Sequence, residues 1–114
     1  MFEKNLQLSF LMDVYAGLLS ERQQRVLDLY YNQDLSLGEI ADDVGISRQG
    51  VRDSIKKAER ELCFYEAHLG LAAREGAVRE MSERLFSLLD AGEARDAAEH
   101  LVAAALGEGD WRHT

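Results

Sequence analysis

Apolar residues return every three or four positions along this chain, the step that gathers them on one face of a helix. Leu6, Phe10, Val14 and Leu18 recur at intervals of four, with Leu11 and Tyr15 widening the stripe, and predict a first helix from about Glu3 to Leu19. Ser20-Glu21-Arg22-Gln23 has the form of a capping box, in which the hydroxyl accepts from the third backbone N–H while the glutamine reaches back. A second helix follows to about Tyr31, with Val26, Leu27, Tyr30 and Tyr31 as its apolar side, and Asn32-Gln33-Asp34 reads as the turn that ends it. Ser36-Leu37-Gly38-Glu39 repeats the capping box and opens a short helix to about Val44. At Gly45 the chain must turn sharply, and glycine takes up a left-handed conformation at least cost. Ser47 caps the next helix, which runs to Leu69 along a heptad-like seam of Val51, Ile55, Ala58, Leu62, Tyr65 and Leu69, and Gly70 stops it. Two further helices are expected on either side of Ala91-Gly92. One spans Ala72 to Leu89, with Val78, Met81, Leu85, Leu88 and Leu89 apolar, and the other is the alanine-rich Glu93 to Leu106. Gly107 to Thr114 reads as a frayed tail. The fold class these patterns predict is all-α.

Composition narrows the picture. A chain of 114 residues has room for one compact core and not for two large ones. No proline forces a helix to break, so the nine glycines carry most of the punctuation. No window approaches 18 consecutive apolar residues, so no membrane span is expected, and no cationic stretch followed by an apolar core marks a secretory signal. Cys63 is the single cysteine and forms no internal disulfide, which fits a reducing cytoplasm. The net charge of −8 has the wrong sign for binding DNA by charge alone, but its distribution is uneven. Residues 48–60 carry five cations against two carboxylates, a net charge of +3, whereas residues 66–114 carry five arginines against ten acidic residues, a net charge of −5. A basic stripe in an acidic chain predicts modest affinity for nucleic acid and strong dependence on salt.

That stripe lies on a pattern of its own. A helix-turn-helix needs a small residue where the second helix crosses the first, glycine in the turn, and apolar side chains locking the inner face. Ile40 and Val44 are apolar before the turn, Ala41 is the small crossing residue, Gly45 is the turn, Ile46 plugs the core behind it, and Val51 and Ile55 face inward. The outer face of the second helix then falls to Arg48, Gln49, Arg52, Asp53 and Lys56. These are the candidates for base contact, because arginine and glutamine present paired groups that match guanine and adenine edges in the major groove. Ser47, Lys57 and Arg60 are placed for phosphates, which position a protein without reading sequence. The same face also suits plain solvation, the usual state of a charged helix surface.

Ser36-Leu37-Gly38-Glu39-Ile40-Ala41 through Val44-Gly45-Ile46-Ser47-Arg48-Gln49-Gly50-Val51 resembles region 4 of bacterial sigma-70 factors. Leu18-Leu19-Ser20-Glu21-Arg22-Gln23 and Leu29-Tyr30-Tyr31 resemble the YlxM family of small bacterial proteins, and together the two matches cover about residues 1 to 70. The resemblance implies a DNA-binding domain of the sigma-region-4 type, without a wing, over residues 1–70, with its helix-turn-helix core at 36–60 and a long recognition helix. It also implies a link to the signal recognition particle pathway, because YlxM-family genes neighbour that of the particle's GTPase. Nothing carries over to residues 71–114, a helical extension expected to pack on the domain or at a dimer interface. Gly50 departs from the pattern, standing in the recognition helix where alanine suits better by roughly 1 kcal/mol.

Two functions fit these expectations. One is a non-enzymatic regulator that binds double-stranded DNA as a homodimer, paired through the long seam or the C-terminal helices. The other is an adaptor for the targeting GTPase or the particle RNA, in which the acidic C-terminal part meets a basic surface. Other signals stay at their plain reading. Cys63, beside the seam, is expected buried or half-buried; His68, His100 and His113 are scattered and form no metal set. Asp42-Asp43 reads as a solvated face, and neither a phosphate loop nor a Ser/His/Asp group is present, so neither enzyme activity nor a cofactor is expected.

Overall fold

The computed structural model describes residues 6–108, with side chains from residue 7 onward. Among the described residues the chain forms six α-helices and no strand: α1 (Leu6–Tyr15), α2 (Glu21–Leu27), α3 (Leu37–Val44), α4 (Arg48–Leu69), α5 (Leu71–Leu88) and α6 (Glu93–Leu106). The expected start of the first helix at Glu3 and the tail beyond residue 108 lie outside the described residues. The chain divides into two compact units, Met1–Gly70 and Leu71–Thr114.

In the first unit α4 is the hub, packed against α1, α2 and α3. Its seam supplies the contact: Val51, Ile55, Ala58 and Leu62 are completely buried, joined by Val26 and Leu27 of α2 and Ile40 of α3. This corrects one expectation. The heptad-like seam that suggested pairing with a second copy is occupied inside the domain, and of its members only Leu69, at the far end of α4, is exposed. Cys63 is also exposed, because it follows Leu62 by one residue and so lies about 100° round the helix from the seam.

α1 meets α4 through a stripe other than the one its spacing suggested. Leu8, Met12, Tyr15 and Leu19 are buried, while Phe10 is 40% exposed and Leu18 56%. Leu11 and Val14 are half-buried. Apolar residues occur on nearly every side of this segment, so periodicity alone offered two stripes and the docking surface chose between them. The helix also ends sooner than expected, tightening into a 3₁₀ turn over Ala16–Leu18 before Leu19 extends. Polar ties then set the rotation of α4. The Tyr15 hydroxyl donates to Glu66, Gln23 Nε2 donates to Glu61 over 3.0 Å, and the Tyr31 hydroxyl donates to Glu59.

Both capping boxes form with reciprocal hydrogen bonds. Gln23 N–H donates to Ser20 Oγ (3.2 Å) and Ser20 N–H to Gln23 Oε1 (2.9 Å). Ser36 and Glu39 repeat the pair at 3.1 Å each. The second helix does not stay α-helical to Tyr31. It widens into a π turn over Asp28–Asn32, closed by Gln33 N–H on the Asp28 carbonyl at 3.1 Å, which lets the consecutive Leu29 and Tyr30 both reach the core. Side-chain hydrogen bonds from Asn32 and then Gln33 hold the Asp28 carboxyl below the usual carboxylate range and pin this turn.

Gly45 makes the turn of the helix-turn-helix at φ 81°, donating its N–H to Ala41 O over 2.9 Å. A Cβ at this position would touch nothing, so the need for glycine lies in the backbone. Gly45→Ala should therefore cost about 1–2 kcal/mol. Thermal unfolding followed by circular dichroism checks this, each kcal/mol being worth about 4–8 °C in a domain of this size.

The second unit is a helical hairpin of α5 and α6. Arg95 ties it at the bend: Nη1 donates to the carbonyls of Phe86 and Leu89, both at 3.0 Å, and the guanidinium lies over the Phe86 ring. Arg79 bridges Glu75 and Glu108 near the open end. Ser82 and Phe86 face Val102, Ala103 and Leu106 across a crevice of about 320 Å³. The apolar stripe expected on α5 points elsewhere: Met81 is 68% exposed and Leu88 81%, Leu85 is exposed, and Val78 and Leu89 are half-buried. The docking of α6 onto the Ser82–Phe86 side decided that orientation.

Candidate nucleic-acid interface

The residues singled out on α4 form one continuous surface. At about 100° per residue, their order round the helix is Arg48, Arg52, Lys56, Gln49, Arg60, Asp53 and Lys57, an arc of about 180° turned away from the buried seam. All seven side chains are exposed, as is that of Ser47. The inner set is split by depth: Ile40, Ala41, Val51 and Ile55 are buried, whereas Val44 and Ile46, beside the turn, are half-buried.

Ser47 caps α4 by accepting from Gly50 N–H at 2.9 Å, which leaves its hydroxyl hydrogen to donate outward. Within the arc Gln49 Nε2 donates to Asp53 Oδ1 at 2.9 Å, one turn on. That bond leaves the Gln49 carbonyl free as an acceptor and fixes the Asp53 carboxyl, whose other oxygen suits a cytosine amino group. A Cβ on Gly50 would meet Ser47 Oγ at 3.1 Å, so the glycine that departs from the sigma-like pattern keeps the cap uncrowded.

The two edges of the arc border different helices. At one edge Arg48 crosses to α3, its guanidinium lying against Gly38. At the other, Lys57 lines an open groove of about 450 Å³ with Gly50 and Asp53 of α4 and with Ser20, Arg22 and Gln23 at the start of α2. Lys56 and Arg60 border a shallow crease with Glu59 and Cys63. Sequence reasoning passed over Arg22 and Gly38. Arg22 sat inside a capping box and so drew attention only as a helix start, and Gly38 lies ten residues from the side chain it faces. Of the acidic pair, Asp43 holds an ion pair with Arg25 of α2 at 2.6 Å, and both of its members are exposed. Among the described residues no group of three or more His, Cys, Asp and Glu is placed to hold a metal ion, and no helix is long and apolar enough to cross a membrane.

An exposed helix whose N-terminal half is basic, held behind a left-handed glycine by a short capped helix, is the helix-turn-helix arrangement. The family described as "Putative helix-turn-helix protein, YlxM / p13 like" matches residues 2–100. The chain belongs to this UPF0122 family. Curated UPF0122 relatives agree: the protein of Desulforamulus reducens is 42% identical over 95 residues, covering 83% of this chain and 81% of the relative. The protein of Clostridium kluyveri is 44% identical over 88 residues, covering 77% and 79%. That of Halalkalibacterium halodurans is 41% identical over 103 residues, covering 90% and 92%. The UPF0122 match takes in the whole helix-turn-helix, all of α5 and the first half of α6. It therefore extends past residue 70, where the sequence resemblance had stopped.

Proposed function

We propose that this UPF0122 chain is a non-enzymatic regulator that binds duplex DNA, laying the N-terminal half of α4 in the major groove. The observation that carries the reading is the exposed arc of α4, basic in an otherwise acidic chain and turned away from the seam that anchors the helix. Gln49 and Lys56 lie in the middle of the arc, where base edges come within reach, with Arg52 on the Arg48 side of them and Asp53 beyond Arg60. Ser47, Lys57 and Arg60 supply phosphate contacts. A lone basic surface on a chain of net charge −8 favours action as a pair of copies, with half-sites about 34 Å apart. That pairing uses a surface other than the α4 seam. The reading places the protein with the chromosome, in the cytoplasm.

Fluorescence anisotropy with labelled duplex from the gene's own upstream region, random duplex and signal-recognition-particle RNA tests it at two salt concentrations. The expected result is preference for the first duplex. Two neutralised phosphates, one each at Lys57 and Arg60, should also bring a loss of about twelve-fold in affinity between 50 and 200 mM salt. Tighter binding of the RNA, or no binding of nucleic acid, would favour the adaptor of the targeting pathway, for which the acidity of residues 66–114 is the supporting feature.

A further inference from the structure

We infer that Gly38 is a positioning residue for Arg48, and that the pair makes a phosphate clamp at the α3 edge of the interface rather than a base-reading contact. The inference rests on the DNA-binding reading above. Gly38 is the second residue of α3. The described glycines with positive φ are Gly45, Gly70, Gly92 and Gly107, so the backbone at residue 38 has no need of glycine, and alanine is the better helix former. What asks for an absent side chain is the approach of Arg48. A Cβ at residue 38 would stand 3.0 Å from Arg48 Nε, 3.2 Å from Nη2 and 3.3 Å from Cζ. Cζ stands farther from that point than Nε and Nη2 do, so the guanidinium passes the glycine obliquely, with its Nε–Nη2 side nearest.

Such a close approach suits arginine, whose guanidinium is planar and weakly hydrated, and it leaves Nη1 on the side away from the glycine. Among the described residues Arg48 makes no hydrogen bond or ion pair, so its donors are available to a phosphate, which a guanidinium can bind through two parallel bonds. Arg48 also lies at the end of the arc, about 90° from its middle, where the groove wall and not the base edges would pass. Resting on Gly38, the side chain has less rotamer freedom to lose when DNA arrives.

The test is a double-mutant cycle in the full chain, with Gly38→Ala, Arg48→Ala and the two combined. The probes are a duplex selected from a random-sequence pool and a random duplex of equal length, titrated across salt. Arg48→Ala should weaken both duplexes by the same factor, about five- to twenty-fold, and lower the salt slope by about one. Gly38→Ala should weaken both by about two- to three-fold with an unchanged or higher Tm, because the added Cβ displaces the guanidinium by a few tenths of an ångström while the helix is improved. In the Arg48→Ala background Gly38→Ala should change nothing further. Arg48→Lys should restore the salt slope and be indifferent to Gly38→Ala, since an ammonium has no planar group to pass over the glycine. A harmless Gly38→Ala, an equal loss in the Arg48→Ala background, or an Arg48→Ala protein that loses its preference for the selected duplex would each overturn the inference alone. A wild-type chain that binds neither duplex would overturn the DNA-binding reading and the inference with it.

Discussion

Ile55→Ala should destabilise the first unit by about 2–5 kcal/mol, the range for emptying a fully buried aliphatic site. Ile55 is completely buried at the middle of the seam through which α4 packs on α1, α2 and α3. A unit of this size has only about 4–10 kcal/mol of stability in total, so the variant should be largely unfolded at moderate urea concentration. Duplex binding should fall in proportion to the folded fraction. Urea titration followed by circular dichroism reads the effect as a lower midpoint at unchanged slope. Phe10→Ala serves as the control. It lies on the α1 stripe that periodicity favoured and the structure leaves 40% exposed, so it should cost less than Met12→Ala on the buried stripe. Equal losses at Phe10 and Met12 would mean that α1 is rotated away from the orientation that buries Leu8, Met12 and Tyr15.

Arg52→Ala should cost about 1–3 kcal/mol of affinity on a preferred duplex and clearly less on a random one, with the fold intact. Arg52 is exposed on the reading side of α4, one residue past the buried Val51. Truncation should therefore leave the melting curve where it was. Competition anisotropy at fixed salt measures both affinities. Equal loss on the two duplexes would reassign Arg52 to the phosphate backbone and leave Gln49 with Asp53 as the source of sequence preference.

Much of the local architecture could be read from neighbouring residues. Ser20 with Gln23, and Ser36 with Glu39, specify their caps because both partners lie within one turn and no distant contact has to agree. Gly45 announces its turn because a left-handed φ is costly for any side chain. The buried Val51-Ile55-Ala58-Leu62 register was legible too, since charged residues and Ser54 cover the rest of that stretch of α4 and leave a single apolar stripe. The same helix misled on a larger scale. A seam that reads as a coiled coil is also the seam of a helix buried at the centre of a small domain, and only the presence of α1, α2 and α3 tells the two apart.

The sequence by itself determined the all-α class, the capped starts of α2, α3 and α4, the glycine turn and the basic arc at the start of α4. Each depends on residues within a turn or two of one another, where steric and hydrogen-bonding rules act alone. Only the tertiary structure decided which side of α1 and α5 faces inward, because both segments are apolar on several sides and the neighbouring helix selects among them. It alone brought Tyr15 to Glu66 and Arg48 against Gly38, contacts whose partners are distant in the chain and meet only when the helices dock. The reason is one of range: local geometry is set by the chain's own backbone, whereas orientation is set by the shape of whatever the helix packs against.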